Sequence, residues 1–209
     1  MIDDPEKIDP HYDFKHDILA NVRGITSRAS LERLERVKAA AALIRLKMEP
    51  VRGGFDVFHY QEIHRRIFKD IYPWAGEFRH VNMSRQASHP FVTVLQMEAK
   101  LEKILDKLAL DGHLKGLEMD DFAAKAGVLL GELNSVHPFR DGNGRVQREF
   151  VRELAEEAGH RINWNRISRA QMYEASDDNH NLARVTGLIE VVWSAIEQAP
   201  VATQPMQNR

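Results

Sequence analysis

The chain has 209 residues, a formal net charge of -2 and 43% hydrophobic residues, enough apolar surface for one well-packed core. Its 29 basic residues are matched by 31 acidic ones, which argues against a nucleic-acid surface, and the lack of cysteine excludes disulfides and thiolate metal sites. No apolar run reaches the ~18–20 residues a membrane span needs. The N-terminal run MIDDPEKIDPHYDF is acidic and has no signal-peptide core. A cytoplasmic location is the expectation, with export through a secretion system that reads another signal as the alternative.

In chain order, residues 1–28 read as an irregular N-terminal segment punctuated by Asp, Pro and Gly. Residues 29–48 read as a helix with Leu31, Leu34, Val37, Ala41, Leu43 and Leu46 towards the core. Glu49-Pro50 and Gly53-Gly54 end it. A second helix is expected over 55–70, burying Val57, Ile63, Ile67 and Phe68. His59 and His64 are five residues apart, on different helix faces, which disfavours a zinc pair. Residues 77–94 differ from their surroundings: β-branched or alternating ends flank the small, polar run Ser-Arg-Gln-Ala-Ser. They read as a short hairpin. Helices follow near 95–110, 119–136, 144–158 and 166–196, the last broken around Asp177–His180. The tail 198–209 reads as disordered. The fold class is mostly α, one domain over 29–197, with one small β-hairpin.

The chemistry concentrates between two helices, in the loop His137–Arg145, His-Pro-Phe-Arg-Asp-Gly-Asn-Gly-Arg. Gly142 and Gly144 permit backbone conformations closed to other residues and let N–H groups converge at a helix start, an anion site. Arg145 and Arg148 add two permanent charges suited to bidentate phosphate contacts. Asp141 beside an anion nest makes sense if it holds a divalent cation that bridges to phosphates. His137 has the right basicity for a general base. A Gly-rich helix–helix turn or a histidine before proline is ordinary alone. Their combination within twelve residues points to phosphate-group transfer. No Walker loop is present, Val146 stands where an EF-hand needs Gly, and Gln147 breaks a Gly-x-Gly-x-x-Gly pattern.

The run from His137 to Arg148 resembles the signature of the Fic family, His-x-Phe-x-(Asp/Glu)-Gly-Asn-Gly-Arg-x-x-Arg, at every specified position. IYPWAGEFR (71–79), DPHYDF (9–14) and INWNRIS (162–168) extend the resemblance over roughly 9–197. The resemblance implies a helical bundle with a hairpin flap and transfer of AMP from ATP to a protein hydroxyl. His137 would be the base and Asp141 the Mg2+ ligand. Arg140, Gly142, Asn143, Gly144, Arg145 and Arg148 would hold the nucleotide, Phe139 would anchor the loop, and Tyr173 would line the base pocket. Flap residues Arg79, Val81, Ser84, Arg85 and Phe91 would bind the target by strand-like pairing. Gly144 matches the AMP-transferring branch, where kinase relatives carry Lys. The family's internal inhibitory pattern Ser/Thr-x-x-x-Glu-Gly/Asn is absent, since Val191 follows Thr186–Glu190. That resembles the toxin branch, in which a small antitoxin supplies the glutamate and the targets are ATPase subunits of DNA gyrase and topoisomerase IV. Two alternatives stay open: transfer of another phosphate-containing group, phosphoryl or phosphocholine, and a nucleotide-binding module without catalysis.

Overall fold

The computed structural model describes residues 9–85 and 89–197. Seven α-helices among them run α1 (Arg28–Met48), α2 (Val57–Phe68), α3 (Val94–Leu110), α4 (Met119–Val136), α5 (Asn143–Glu157), α6 (Arg169–Leu182) and α7 (Thr186–Ala195). Asp56 caps α2 by accepting from His59 N at 2.8 Å. Ser168 and Gln171 form a reciprocal capping box on α6. The apolar faces of α2, α4 and α5 meet in one core that includes Tyr60, Phe122, Phe139 and Phe150, all at 0% exposure. Gly127 lets α7 approach α4: a Cβ there would lie 2.6 Å from Ile189 Cα.

The structure departs from the sequence reading at four places. Residues 77–94 form no regular strands among the described residues. They make one bridge, Ser84 to Pro90, and 86–88 lie outside those described. The antiparallel strand pair is instead β1 (Tyr12–Asp13) with β2 (Ile18–Leu19), inside the segment read as irregular. The break in the last helical stretch falls later than Asp177–His180, at Ala183, which is left-handed with φ 54°. On α1 the buried stripe is Leu31, Ala39, Ala42 and Leu46, while Val37 is 64% exposed and Ala41 is exposed. Glu35 lies on the inward side of that helix, its side chain 15% exposed. The sequence reading placed no charge there.

Candidate active site

α4 ends where His137 turns left-handed (φ 49°, ψ 59°), its N–H still bonded to Leu133 O at 3.1 Å. The loop is then fixed by its own interior. Phe139 is fully buried and stacks on His64 at 3.9 Å between ring centres. Asn143 clasps the Phe139 backbone twice: its Oδ1 accepts from Phe139 N at 2.9 Å and its Nδ2 donates to Phe139 O at 2.8 Å. Both ends of that amide are therefore engaged and only 2% of the residue is exposed. The Asn143 side chain holds the loop, and its backbone N–H at the helix start is the group left open to an anion. His64 accepts from Gly76 N at 2.8 Å on Nδ1, so its Nε2 carries the proton and donates to Asp141 O at 3.2 Å. Burial lowers its pKa to about 3. His59 faces elsewhere and meets Glu153 at 2.7 Å, so the two histidines form no pair.

Gly142 has φ +82°, and a Cβ on it would sit 2.4 Å from the Phe68 ring. No other residue meets both demands. Gly144 differs from expectation: it is helical, and its missing side chain leaves room for Arg148, whose Nη1 would stand 3.3 Å from a Cβ there. As the first two residues of α5, Asn143 and Gly144 have no helical acceptor for their N–H groups.

The loop has two flanks. On one, His137, Gly144 and Arg148 line a cavity of 440 Å³ whose opposite wall includes Trp164, Met172 and Tyr173. Trp164 donates to Arg148 O at 2.9 Å, which fixes that wall to α5. Burial, and then the neighbouring Arg145, lower the Arg148 pKa to about 10. Among the described residues no carboxylate pairs with Arg148. His137 is lowered to about 3 by burial and by the Arg85 charge, so its imidazole is neutral at pH 7. Its ring stacks on Phe91 at 3.9 Å. On the other flank the two loop arginines are each matched by a carboxylate. Arg140 Nε donates to Asp9 at 2.7 Å and lies over the Tyr12 ring. Arg145 Nη1 donates to Glu35 at 2.6 Å, and Tyr72 donates its hydroxyl to the same carboxylate. Arg145 also covers the Phe68 ring at 4.6 Å and sits 3.6 Å from Asp141. Burial, then Glu35, push the Asp141 carboxyl up, although its side chain is 42% exposed.

The flap side is organised by Arg79. It is 1% exposed, and its guanidinium donates to His137 O at 2.9 Å, to Val81 O at 2.7 Å and to Val92 O. Its backbone N–H donates to Pro138 O at 2.9 Å. Arg79 thus ties the flap to the loop from inside and presents no surface to a target. Phe91 is likewise buried, forming the wall behind His137. Val81 is half-buried and Ser84 is exposed. Arg85 reaches Asp177 at 3.6 Å and lies over the Tyr173 ring. Asp9, Glu35, Tyr72 and His64 are site residues the sequence reading missed. For Glu35 the available signal was its spacing of four from Leu31 and Ala39, which puts it on the buried stripe.

The Fic/DOC family model matches residues 54–155. The chain is 40% identical over 172 residues to "Protein adenylyltransferase VbhT" of Bartonella schoenbuchensis, covering 82% of this chain and 36% of that protein. It is 30% identical over 183 residues to "Probable protein adenylyltransferase Fic" of Escherichia coli, covering 88% of this chain and 90% of the relative. A solved Fic domain of a VirB-translocated effector from Bartonella quintana, with bound ADP, superposes with a TM-score of 0.86 at 25% identity, covering 90% of this chain and 94% of the other. The chain belongs to the Fic/DOC family. It spans about a third of the length of the two Bartonella adenylyltransferases it matches, 36% and 32%. No helix among the described residues is long and apolar enough to cross a membrane.

Proposed function

We infer that this chain is a protein adenylyltransferase that moves AMP from ATP to a hydroxyl side chain of a target protein. The observation that carries the reading is Arg148: a half-buried guanidinium without a carboxylate partner among the described residues, in the same cavity as Gly144 and a neutral His137. A cation partly withdrawn from water without a counter-charge is costly until an anion completes it. The names of the relatives and the ADP held by the Bartonella quintana domain support a nucleoside polyphosphate as that anion.

The phosphates lie against the N–H groups at the start of α5 and against Arg148, and the base lies against Trp164, Met172 and Tyr173. The target hydroxyl oxygen attacks the α-phosphorus. The bond from that phosphorus to the bridging oxygen breaks, and pyrophosphate leaves with the electron pair. The hydroxyl proton passes to His137. Negative charge from the bound triphosphate raises the proton affinity that burial and Arg85 lower in the free protein. The target segment lies along the exposed flap edge at Ser84. Asp141 fits Mg2+: it is a hard oxygen donor whose Oδ1 accepts from Gly142 N at 2.5 Å, leaving its second oxygen for a cation completed by phosphates. There the ion would draw charge from the leaving pyrophosphate.

Regulation follows from the same free cation. A small helical partner that places a glutamate against Arg148 displaces the outer phosphates and so removes the in-line geometry. If this chain arrests growth, co-expression of such a partner should restore it, and replacing its glutamate with Gly should remove inhibition while leaving binding. The transfer itself is tested with ATP labelled at the α- or the γ-phosphate in a cell lysate. Label from the α-position alone, with an AMP adduct by mass spectrometry, is the expected result. Label from the γ-position alone would make the chain a kinase.

A further inference from the structure

A second constellation lies at the foot of the flap, away from the His137 cavity. His11, between Asp9 and β1, is buried, its side chain 2% exposed. Its ring is held by stacking on Trp74, with centroids 4.8 Å apart and planes 15° apart, and it meets His80 edge-on at 5.1 Å. Its Nε2 points at Glu77 Oε2 at 3.4 Å. One ligand-capable atom from each of His11, Glu77 and His80 falls within 4.8 Å of the others. Glu77 and His80 are exposed. They flank Arg79, so the backbone that aims them is pinned by the buried Arg79 fan.

The distances fit an ion better than they fit a hydrogen bond. An Nε2 to carboxylate separation of 3.4 Å is long for a histidine–carboxylate bond in a partly buried site. Two ligands placed ~2.0–2.1 Å from a tetrahedral ion stand about 3.4 Å apart. His80 lies within 4.8 Å of the other two and is exposed, so its ring can turn to close the remaining distance. The donor set, two imidazoles and one carboxylate, is that of a first-row transition ion of the Zn2+ class. It is a poor match for Mg2+, which demands oxygen donors. This separates the site from Asp141.

We propose that His11, Glu77 and His80 bind one Zn2+-class cation that clamps the N-terminal segment to the base of the flap. The fourth position is open to water. The clamp also reaches the loop. Asp9, two residues before His11, accepts from Arg140 at 2.7 Å and from His11 N at 3.2 Å. Fixing His11 therefore fixes the carboxylate that holds Arg140.

The test uses the full chain, stripped with chelator and titrated with Zn2+ by calorimetry, followed by thermal unfolding with and without the metal. One-to-one uptake and a rise in Tm with Zn2+ are expected. H80A and E77Q change exposed side chains and should leave the metal-free Tm in place. Each should weaken uptake by at least about tenfold and remove the metal-dependent rise. H89A, a histidine outside the cluster, should behave as the parent chain does, which controls for stray imidazole binding. Absence of one-to-one uptake, or uptake undiminished in either H80A or E77Q, overturns the proposal.

Discussion

The two flanks of the His137–Arg145 loop are built from the same residue types and differ in how their charges are answered. On the N-terminal flank, Arg140 and Arg145 each meet a carboxylate, Asp9 at 2.7 Å and Glu35 at 2.6 Å. On the cavity flank, Arg148 and His137 meet no carboxylate among the described residues, and their pKa values are lowered by burial. Matched charges hold a shape, and unmatched charges wait for a ligand. The arginines of this segment, alike in the motif, differ in the structure by whether a carboxylate meets them.

The sharpest way to break the comparison is His137→Ala. Transfer should fall by about 100- to 10,000-fold, the range for loss of a general base. Nucleotide affinity should stay near that of the parent chain if, as proposed, the anion contacts come from Arg148 and backbone N–H groups. Retained transfer in a labelled-ATP assay would remove His137 from the mechanism. Next comes Arg148→Ala, which should cost about 10- to 100-fold in nucleotide affinity by calorimetry, the value of a charge-assisted contact. Its Tm should not fall, since a half-buried charge with no carboxylate partner among the described residues adds no ion pair to folding.

Glu35→Ala should give the opposite pattern. It leaves the Tyr72 hydroxyl and the Arg145 guanidinium without their shared partner, with a loss of about 1–3 kcal/mol in unfolding free energy by denaturant titration. If Glu35→Ala lowers nucleotide affinity as much as Arg148→Ala without a stability loss, the two flanks do the same work. The free protein also carries a pH signature. His64 and His137 are lowered to about 3, whereas an unfolded histidine takes up its proton near its ordinary 6.5. Below that value the unfolded chain binds protons the folded chain refuses, so this contribution is full above pH 6.5 and is lost as pH falls towards 3. The raised Asp141 and Glu149 carboxyls act in the other direction, so the readout is a difference: the Tm of His137→Ala should fall less steeply than the parent's between pH 6.5 and 4. The smallest effect is expected at Ser84→Ala, within about twofold on transfer, if strand-like backbone pairing is what the flap offers its target. A loss comparable to that of His137→Ala would move recognition to the side chain.

Much of this was legible in the sequence for a local reason. The limits of α4 and α5 and the loop between them follow from apolar periodicity and from Pro138, Gly142 and Gly144, all within a few residues of what they control. The Arg148 guanidinium was placed at the site by spacing on one helix. What the sequence did not show were contacts whose partners are distant in the chain. Glu35 is 110 residues from Arg145, Asp9 is 131 from Arg140, and Arg79 is 58 from His137. A charged residue on a buried stripe reads as an irregularity until the fold brings its partner up. The expected hairpin at 77–94 is reduced, among the described residues, to the antiparallel bridge Ser84 to Pro90. Its alternation suits strands, yet the described backbone there is held mainly by the Arg79 side chain and by single bonds such as Phe91 N to Met83 O at 3.0 Å. The residue types of this protein determine its chemistry, because anion nests and bases are local motifs. Which of its charges are free to act was decided by tertiary structure, because pairing depends on what packs against the loop from far along the chain.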